Sequence, residues 1–422
     1  MNKFRFQELV ILFAVASTLL YIVSRNLPPV IGSFRFFWAP FSLIIIFYTR
    51  SNAIFKGPMR FVLLYGIISV GILHYFLWNN MDDWNRKYIL EDFYVLVVFT
   101  AIWSYFWVKS DFQRLALLSK WAFIFIVITI ITTNIALTID PLIVRKAASS
   151  FSEEPFRLRL FNLTGAAGYG YAQAFILLIP PLVYYIKKKK QMVFSRKVLI
   201  VILTLLFITI LRTQVFANFM ITSFVLFLAF MESQKRQFIF LYITLFIVIF
   251  VIVPDSFYAK IFSTIGSYFD TNSVFYSKFN DFALFIQNPE LDNTTGFGHR
   301  AERYSMLMEA FLANPIWGHA SANSSLNIRG GGHLYWMNKL TLWGVPGFLF
   351  FVYVLKKIYK SISSSFFNDE IRYYYLLSVL AFIMLGLTKN IAGREPWITI
   401  IVVIPGLYFF PLIQKTKIKK QK

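Results

Sequence analysis

Residues 117–138 read LLSKWAFIFIVITIITTNIALT, and a single lysine is the only charge among them. As a helix rising 1.5 Å per residue, such a run reaches roughly 33 Å, enough to cross the ~30 Å hydrocarbon core of a bilayer. Eleven similar windows fall at about 7–24, 31–49, 61–78, 93–108, 169–186, 198–211, 214–231, 237–253, 333–355, 373–390 and 397–413. The 198–211 window is the shortest. In lipid every backbone amide needs an internal partner, so only helices and closed barrels cross. A barrel would be written in strands of about ten alternating residues. These windows are continuously apolar, so the expected fold is an all-α integral membrane protein of about twelve transmembrane helices.

Composition agrees. The 422 residues are 58% hydrophobic and 19% aromatic, with 49 phenylalanines and a mean hydropathy of +0.61. Soluble domains lie nearer half apolar. There is no cysteine, which removes disulfide and thiolate chemistry. The first apolar run follows Lys3 and Arg5, as in a signal peptide. With so many spans behind it, it is expected to stay as an uncleaved first helix.

The net charge of +22 would suit a nucleic-acid binder until it is laid on a topology. With a cytoplasmic N-terminus and strict alternation, the same face collects Lys3, Arg50, Lys56, Arg60, the run Lys187–Lys190, Lys356, Lys357 and the tail after Lys415. In all, that face holds 25 of the 42 lysines and arginines and only five of the 20 acids. Cytoplasmic loops carry such an excess. The charge is therefore read as a topology signal, with both termini cytoplasmic and no nucleic-acid partner. Lys187–Lys190 is read as a cytoplasmic anchor.

This topology sends Asn79–Asp92, Ile139–Gly168 and Pro254–Gly332 outside. The chain divides into residues 1–253 with nine spans, an external subdomain at 254–332, and residues 333–422 with three spans and a basic tail. Within Ser256–Phe285, Phe257, Ile261, Ile265 and Tyr268 recur at helical spacing. Such a helix fits an outer-leaflet surface or the core of a small external subdomain equally well. Asn314-Pro315 and Gly330–Gly332 are breakers that bracket a helix of about 300–313.

Polar chemistry gathers at residues 296–347, GFGHRAERYSMLMEAFLANPIWGHASANSSLNIRGGGHLYWMNKLTLWGVPG. It holds Arg300, Arg303 and Arg329, and three of the four histidines: His299, His319 and His333. Other outward cations are Arg159 before the sixth span, Arg212 in the tight turn after the seventh, and Lys389 and Arg394 in the last outer turn. An arginine at mid-bilayer costs about 2.5–3.5 kcal/mol on insertion scales, and less near the interface where it snorkels. Each alone fits an interfacial anchor. Several around one external cavity would suit a pyrophosphate, whose oxygens guanidinium binds bidentately.

His333 follows three glycines and opens a span. At an ordinary pKa near 6.5 it could accept a hydroxyl proton or bind phosphate. His319 and His299 are weaker candidates. His74, inside the third span, reads as a packing residue. The sequence has no phosphate-binding glycine loop, no HExxH and no DxD pair; adjacent Asp82 and Asp83 read as a solvated turn. No metal or cofactor is expected.

Two runs resemble the O-antigen polymerase and O-antigen ligase superfamily. One is Arg300, Tyr304, Pro315 and Gly318. The other is His333, Leu340, Gly344 and Gly347. The chain departs from the pattern at Ala320, where the superfamily has glycine, and at Leu334 and Leu342, where it has asparagine and glutamate. The LRTQ turn at Arg212 and the RLRLFN stretch, with Arg159 preferred to Arg157, resemble its other arginine-bearing loops.

The resemblance implies a GT-C-like glycosyltransferase in the bacterial inner membrane. It would act on undecaprenyl-pyrophosphate-linked oligosaccharide at the outer face. Arg212 and Arg300 would act at the pyrophosphate, with His333 for phosphate or proton transfer. Arg159, Arg303, His319 and Arg394 would bind pyrophosphate or sugar. Polymerisation of repeat units, with a chain-length regulator as partner, is expected ahead of ligation to lipid A-core. A flippase would show two related halves and mid-membrane charges, neither of which is evident here.

Overall fold

Helix is the only regular structure among the described residues of the computed structural model, which are 4–72, 83–146, 155–189, 192–231, 254–271, 273–287, 298–319 and 334–413. The first ten longer helices are α1 (Phe6–Leu19), α2 (Ala39–Phe55), α3 (Met59–Gly66), α4 (Asp83–Trp107), α5 (Phe112–Ile139), α6 (Pro155–Thr164), α7 (Tyr169–Leu177), α8 (Ile179–Lys187), α9 (Arg196–Arg212) and α10 (Phe216–Phe230). They are followed by α11 (Asp255–Ser267), α12 (Val274–Gln287), α13 (Gly298–Ala313), α14 (Tyr335–Ser364), α15 (Asp369–Thr388) and α16 (Arg394–Ile398). Five stretches are long and apolar enough to cross a membrane: Ile89–Trp107, Phe112–Ile139, Pro155–Lys187, Tyr335–Ser364 and Asp369–Thr388. The chain is thus an all-helical bundle with the makeup of a multi-pass membrane protein.

Several windows differ from the sequence expectation. Window 237–253 lies outside the described residues, as do His74, Arg329 and His333. Window 93–108 belongs to a helix that starts ten residues earlier, at Asp83. A charge-free window stops short of Asp92, but Asp92 is paired with a lysine of α14, so its charge can sit within the helix. Windows 7–24, 31–49, 61–78 and 397–413 are broken. The first breaks at Leu20, between α1 and the short turn Tyr21–Ser24. Three others carry π-helical segments, Phe34–Trp38, Ile67–Ile72 and Thr399–Val403. Irregular backbone inside a membrane is tolerated only where other groups satisfy it. At the first break they do: the Leu19 carbonyl accepts from Thr129 Oγ1 at 2.9 Å and from the Tyr171 hydroxyl.

Polar contacts sort the helix ends into two groups. At one end Arg114 bonds Glu8 at 2.6 Å, Lys188 bonds Glu370 at 2.6 Å, and Lys187 donates to the Phe230 carbonyl at 2.8 Å. At the other, Arg35 bonds Glu91, Arg25 donates to the Phe161 and Ala166 carbonyls, and Gln173 donates to the Asn390 carbonyl. The first group lies where the sequence places its lysine and arginine excess, at the basic end.

Beyond the less basic end, α11 and α12 form a hairpin. Its ring cluster of Phe262, Phe269, Phe275 and Phe279 packs on Phe216 and Phe219, next to the turn after α9. Phe257, Ile261, Ile265 and Tyr268 stay exposed. Of the two readings of this stripe, the structure favours a surface helix, because the stripe is not the packed face.

Two glycines fix how α13 meets α14. Gly318 and Gly344 both have left-handed φ, +69° and +63°, and face each other across two backbones. The His319 amide donates to the Thr341 carbonyl at 3.0 Å, and the Val345 amide to the Pro315 carbonyl at 2.8 Å. These bonds also satisfy α14 where Gly344 and Pro346 kink it. A Cβ on Gly318 would collide with the Leu342 carbonyl, and one on Gly344 with the Ile316 carbonyl. Left-handed backbone alone costs a non-glycine residue roughly 1–2 kcal/mol, and the collisions add to it. Gly318→Ala and Gly344→Ala should each lower the thermal midpoint of the detergent-purified protein by several degrees. Gly71→Ala, where an added Cβ meets nothing within 4 Å, should leave it nearly unchanged.

Candidate functional site

A polar hollow of about 390 Å³ lies at the less basic end, between the turn before α2, the start of α4 and the start of α16. Ser33, Arg35, Glu91, Tyr94, Arg394 and Glu395 line it. The size suits part of a small ligand. Phe36, 74% exposed, stands at its mouth. Two of the three π segments adjoin it, one carrying Arg35 and the other following α16. π-bulges often occur at functional sites, where they re-aim side chains.

Two cations, Arg35 and Arg394, and two carboxylates, Glu91 and Glu395, line the hollow. Arg35 pairs with Glu91 at 2.8 Å, and the Tyr94 hydroxyl donates to the Arg35 carbonyl at 2.6 Å. Arg394 makes no ion pair among the described residues; its guanidinium lies 5.6 Å from the Phe34 ring centre. Burial, then the Arg35 charge, pull Arg394 below the usual arginine range, while Tyr94 and Glu91 oppose them. Behind it, Arg25 stacks on Tyr21 and Phe161 at 4.2 and 3.7 Å. Burial and the Arg394 charge bring Arg25 down to about 9, still cationic at neutral pH. An anion entering beside Arg394 would relieve this repulsion.

Glu395 is the buried acid of the site, 6% exposed. The break at Leu20 turns Tyr21 toward it, and the Tyr21 hydroxyl donates to its Oε1. Burial pushes its carboxyl up to about 7.

The sequence-proposed residues fall in different places. Arg394 lines the hollow. Arg212 ends α9 and is engaged by α5: its guanidinium donates to the Asn134 carbonyl at 3.2 Å, Asn134 Oδ1 at 3.3 Å and Thr138 Oγ1 at 3.0 Å. Arg159 is exposed on α6, whereas Arg157 of that helix pairs with Asp140. Arg303 is half-buried on α13. The Arg300 backbone lies one turn before Tyr304, whose hydroxyl donates to the Leu387 carbonyl. The side chains of His299 and Arg300 lie outside the described residues. His319 is buried with its ring against the Ala310 carbonyl, so it serves the α13–α14 junction.

Sequence reasoning missed Arg25, Arg35, Glu91, Tyr21 and Glu395. The signal was available for Glu395, an acid next to Arg394 at the mouth of an apolar window. It also missed Asp92 and Lys339, 1% and 0% exposed, which pair between α4 and α14. Each is a charge beside or within an apolar window, the usual mark of a functional or coupling site. Tyr335 donates to the same Asp92 oxygen at 3.2 Å, and Asp92 Oδ1 has no hydrogen-bond partner among the described residues.

Fold and site together define a helical membrane protein with a polar hollow at one end, lined by two arginines and two carboxylates. No protein-family model matches the chain, and no curated protein matches it.

The buried pair gives a direct stability test. Removing one partner of such a pair typically costs about 3–5 kcal/mol, whereas replacing both with apolar residues is often neutral. Asp92→Asn should therefore sharply lower the yield of folded protein and its thermal midpoint. The double variant Asp92→Leu, Lys339→Met should recover most of that loss.

Proposed function

We propose that this chain is a membrane glycosyltransferase that polymerises undecaprenyl-pyrophosphate-linked repeat units into a surface polysaccharide. In this proposal twelve spans cross a bacterial inner membrane in a GT-C-like arrangement, and the less basic end faces out. The observation that carries the proposal is the hollow at that end, where Arg394 and Arg35 are held among buried or paired neighbours. The resemblance of residues 300–347 to the O-antigen polymerase and ligase superfamily supports it further. Three residues of that pattern, Pro315, Gly318 and Gly344, meet at one backbone junction.

The chemistry asks for few parts. A sugar hydroxyl of one unit attacks the anomeric carbon of the sugar joined to pyrophosphate in another. The new glycosidic bond forms as the bond to the pyrophosphate oxygen breaks. Negative charge grows on the departing lipid pyrophosphate, and preorganised cations lower the barrier by meeting it there. Arg394 takes that role, with Arg35 able to exchange Glu91 for phosphate. Arg25 raises the positive potential from behind. Arg212 holds α5 and α9 together and Arg300 opens the helix that docks over α14 and α15; neither is assigned to the hollow.

Charge-assisted hydrogen bonds are worth roughly 1.5–3 kcal/mol each, so losing one should slow the reaction about ten- to hundredfold. A strain lacking the gene and complemented with Arg394→Ala should display single repeat units in place of long chains, with the variant protein still in the membrane. Full-length ladders would contradict the assignment of Arg394. In the uncomplemented strain, long lipid-linked chains awaiting transfer would indicate a ligase, and units trapped inside would indicate a flippase.

A further inference from the structure

The attacking hydroxyl must lose a proton, and the hollow holds a carboxylate built for the task. We propose that Glu395 is the proton acceptor of this site, taking the proton of the acceptor sugar hydroxyl as the glycosidic bond forms. The inference rests on the glycosyl-transfer proposal above.

Three observations on geometry carry it. Glu395 lines the same hollow as Arg394, its neighbour in sequence, so an anion-binding group and a carboxylate share one cavity. Its Oε1 is fixed by the Tyr21 hydroxyl, which leaves Oε2 as the working oxygen. That oxygen sits between two glycines of different helix ends. A Cβ at Gly170 would lie 2.7 Å from it and one at Gly393 2.9 Å, both too close. Glycine at both positions lets the backbone approach Oε2 closely, which fixes the orientation of the carboxylate.

The surroundings also suit the role. From the elements packed around Glu395, the ionisable groups are Tyr21 and Arg25 after α1, Tyr171 on α7, Glu91, Asp92 and Tyr94 on α4, Arg35 beside them, and Arg394. Asp92 is committed to Lys339 and Glu91 to Arg35. The Tyr21 hydroxyl hydrogen-bonds the Glu395 carboxylate, and the Glu395 backbone amide also favours its ionised form. Burial holds the carboxyl near 7, where a general base works best at neutral pH. The step balances: hydroxyl oxygen to carbon, proton to Glu395 Oε2, and the bonding pair to the pyrophosphate oxygen. Release of the proton from Glu395 Oε2 to water then restores the carboxylate.

The test uses the full chain in nanodiscs, with lipid-linked repeat units extracted from the deletion strain as substrate and undecaprenyl pyrophosphate as the binding probe. Glu395→Gln should lower turnover about a hundredfold or more, the range of general-base contributions. It should bind the probe within twofold of wild type. It should also unfold no earlier than wild type at pH 8, because it removes a buried charge. Wild-type turnover should rise with pH through about 7 and level off above it. Tyr21→Phe removes a hydrogen bond that favours the ionised form, so its limb should move to higher pH. Gly170→Ala, which crowds Oε2 and leaves every charge in place, should cost about tenfold in turnover with binding retained. Near wild-type turnover by Glu395→Gln, with wild type active, overturns the role of Glu395 and leaves the polymerase proposal standing. No turnover by wild type on these substrates removes both.

Discussion

Two left-handed glycines set the geometry on which the less basic end of this bundle depends. Gly318 and Gly344 let two backbones approach closer than any side chain permits, and the amides of His319 and Val345 bridge them. The junction lets α14 kink at Gly344 without stranding its carbonyls. It also pins α13 over the ends of α14 and α15, where Thr341 donates to the Leu307 carbonyl at 3.1 Å. The described end of α13 is therefore anchored to α14 by backbone contact, not by surface charge pairs, which are worth little.

The same economy governs the hollow. An unbroken first helix would carry Tyr21 and Arg25 past the site. The break at Leu20 turns them inward, and hydroxyls of Thr129 and Tyr171 take up the freed carbonyl. The π segment Phe34–Trp38 does the same for Arg35, and α16 begins with Arg394 and Glu395 as the chain re-enters the bundle. Helix irregularity, side-chain compensation and concentrated charge thus occur at one place. Below them the Asp92–Lys339 pair ties α4, which carries Glu91 and Tyr94, to α14, which carries the glycine junction. Displacing α14 would strain the wall of the hollow through that pair.

Much of this was legible in the chain. Apolar windows located α9, α10 and α15 within a few residues because lipid exposure forces long apolar runs. The helix expected at 300–313 is observed at Gly298–Ala313, since Pro315 and the breakers around it leave little choice. Arg394 was recognised from its position in a short turn. What the sequence hid has a common cause. Asp92 and Lys339 look forbidden in hydrocarbon until each is seen beside the other, and pairing is a long-range fact. Arg25 and Arg35 look like ordinary boundary cations until the break at Leu20 and the π turn re-aim them. Arg212 looked free to bind substrate, yet Asn134 and Thr138, far off in sequence, occupy its donors.

The central claim is that a lipid-linked pyrophosphate sits in the hollow beside Arg394 and Glu395. Photocrosslinking with a diazirine-bearing undecaprenyl pyrophosphate, followed by peptide mapping, tests it most directly. Saturable adducts on Ser33–Phe36 and Ala392–Glu395, competed by unlabelled undecaprenyl pyrophosphate, are the expected result. Adducts confined to other helix ends, such as the Arg212–Asn134 corner, or labelling that competitor does not reduce, would contradict it.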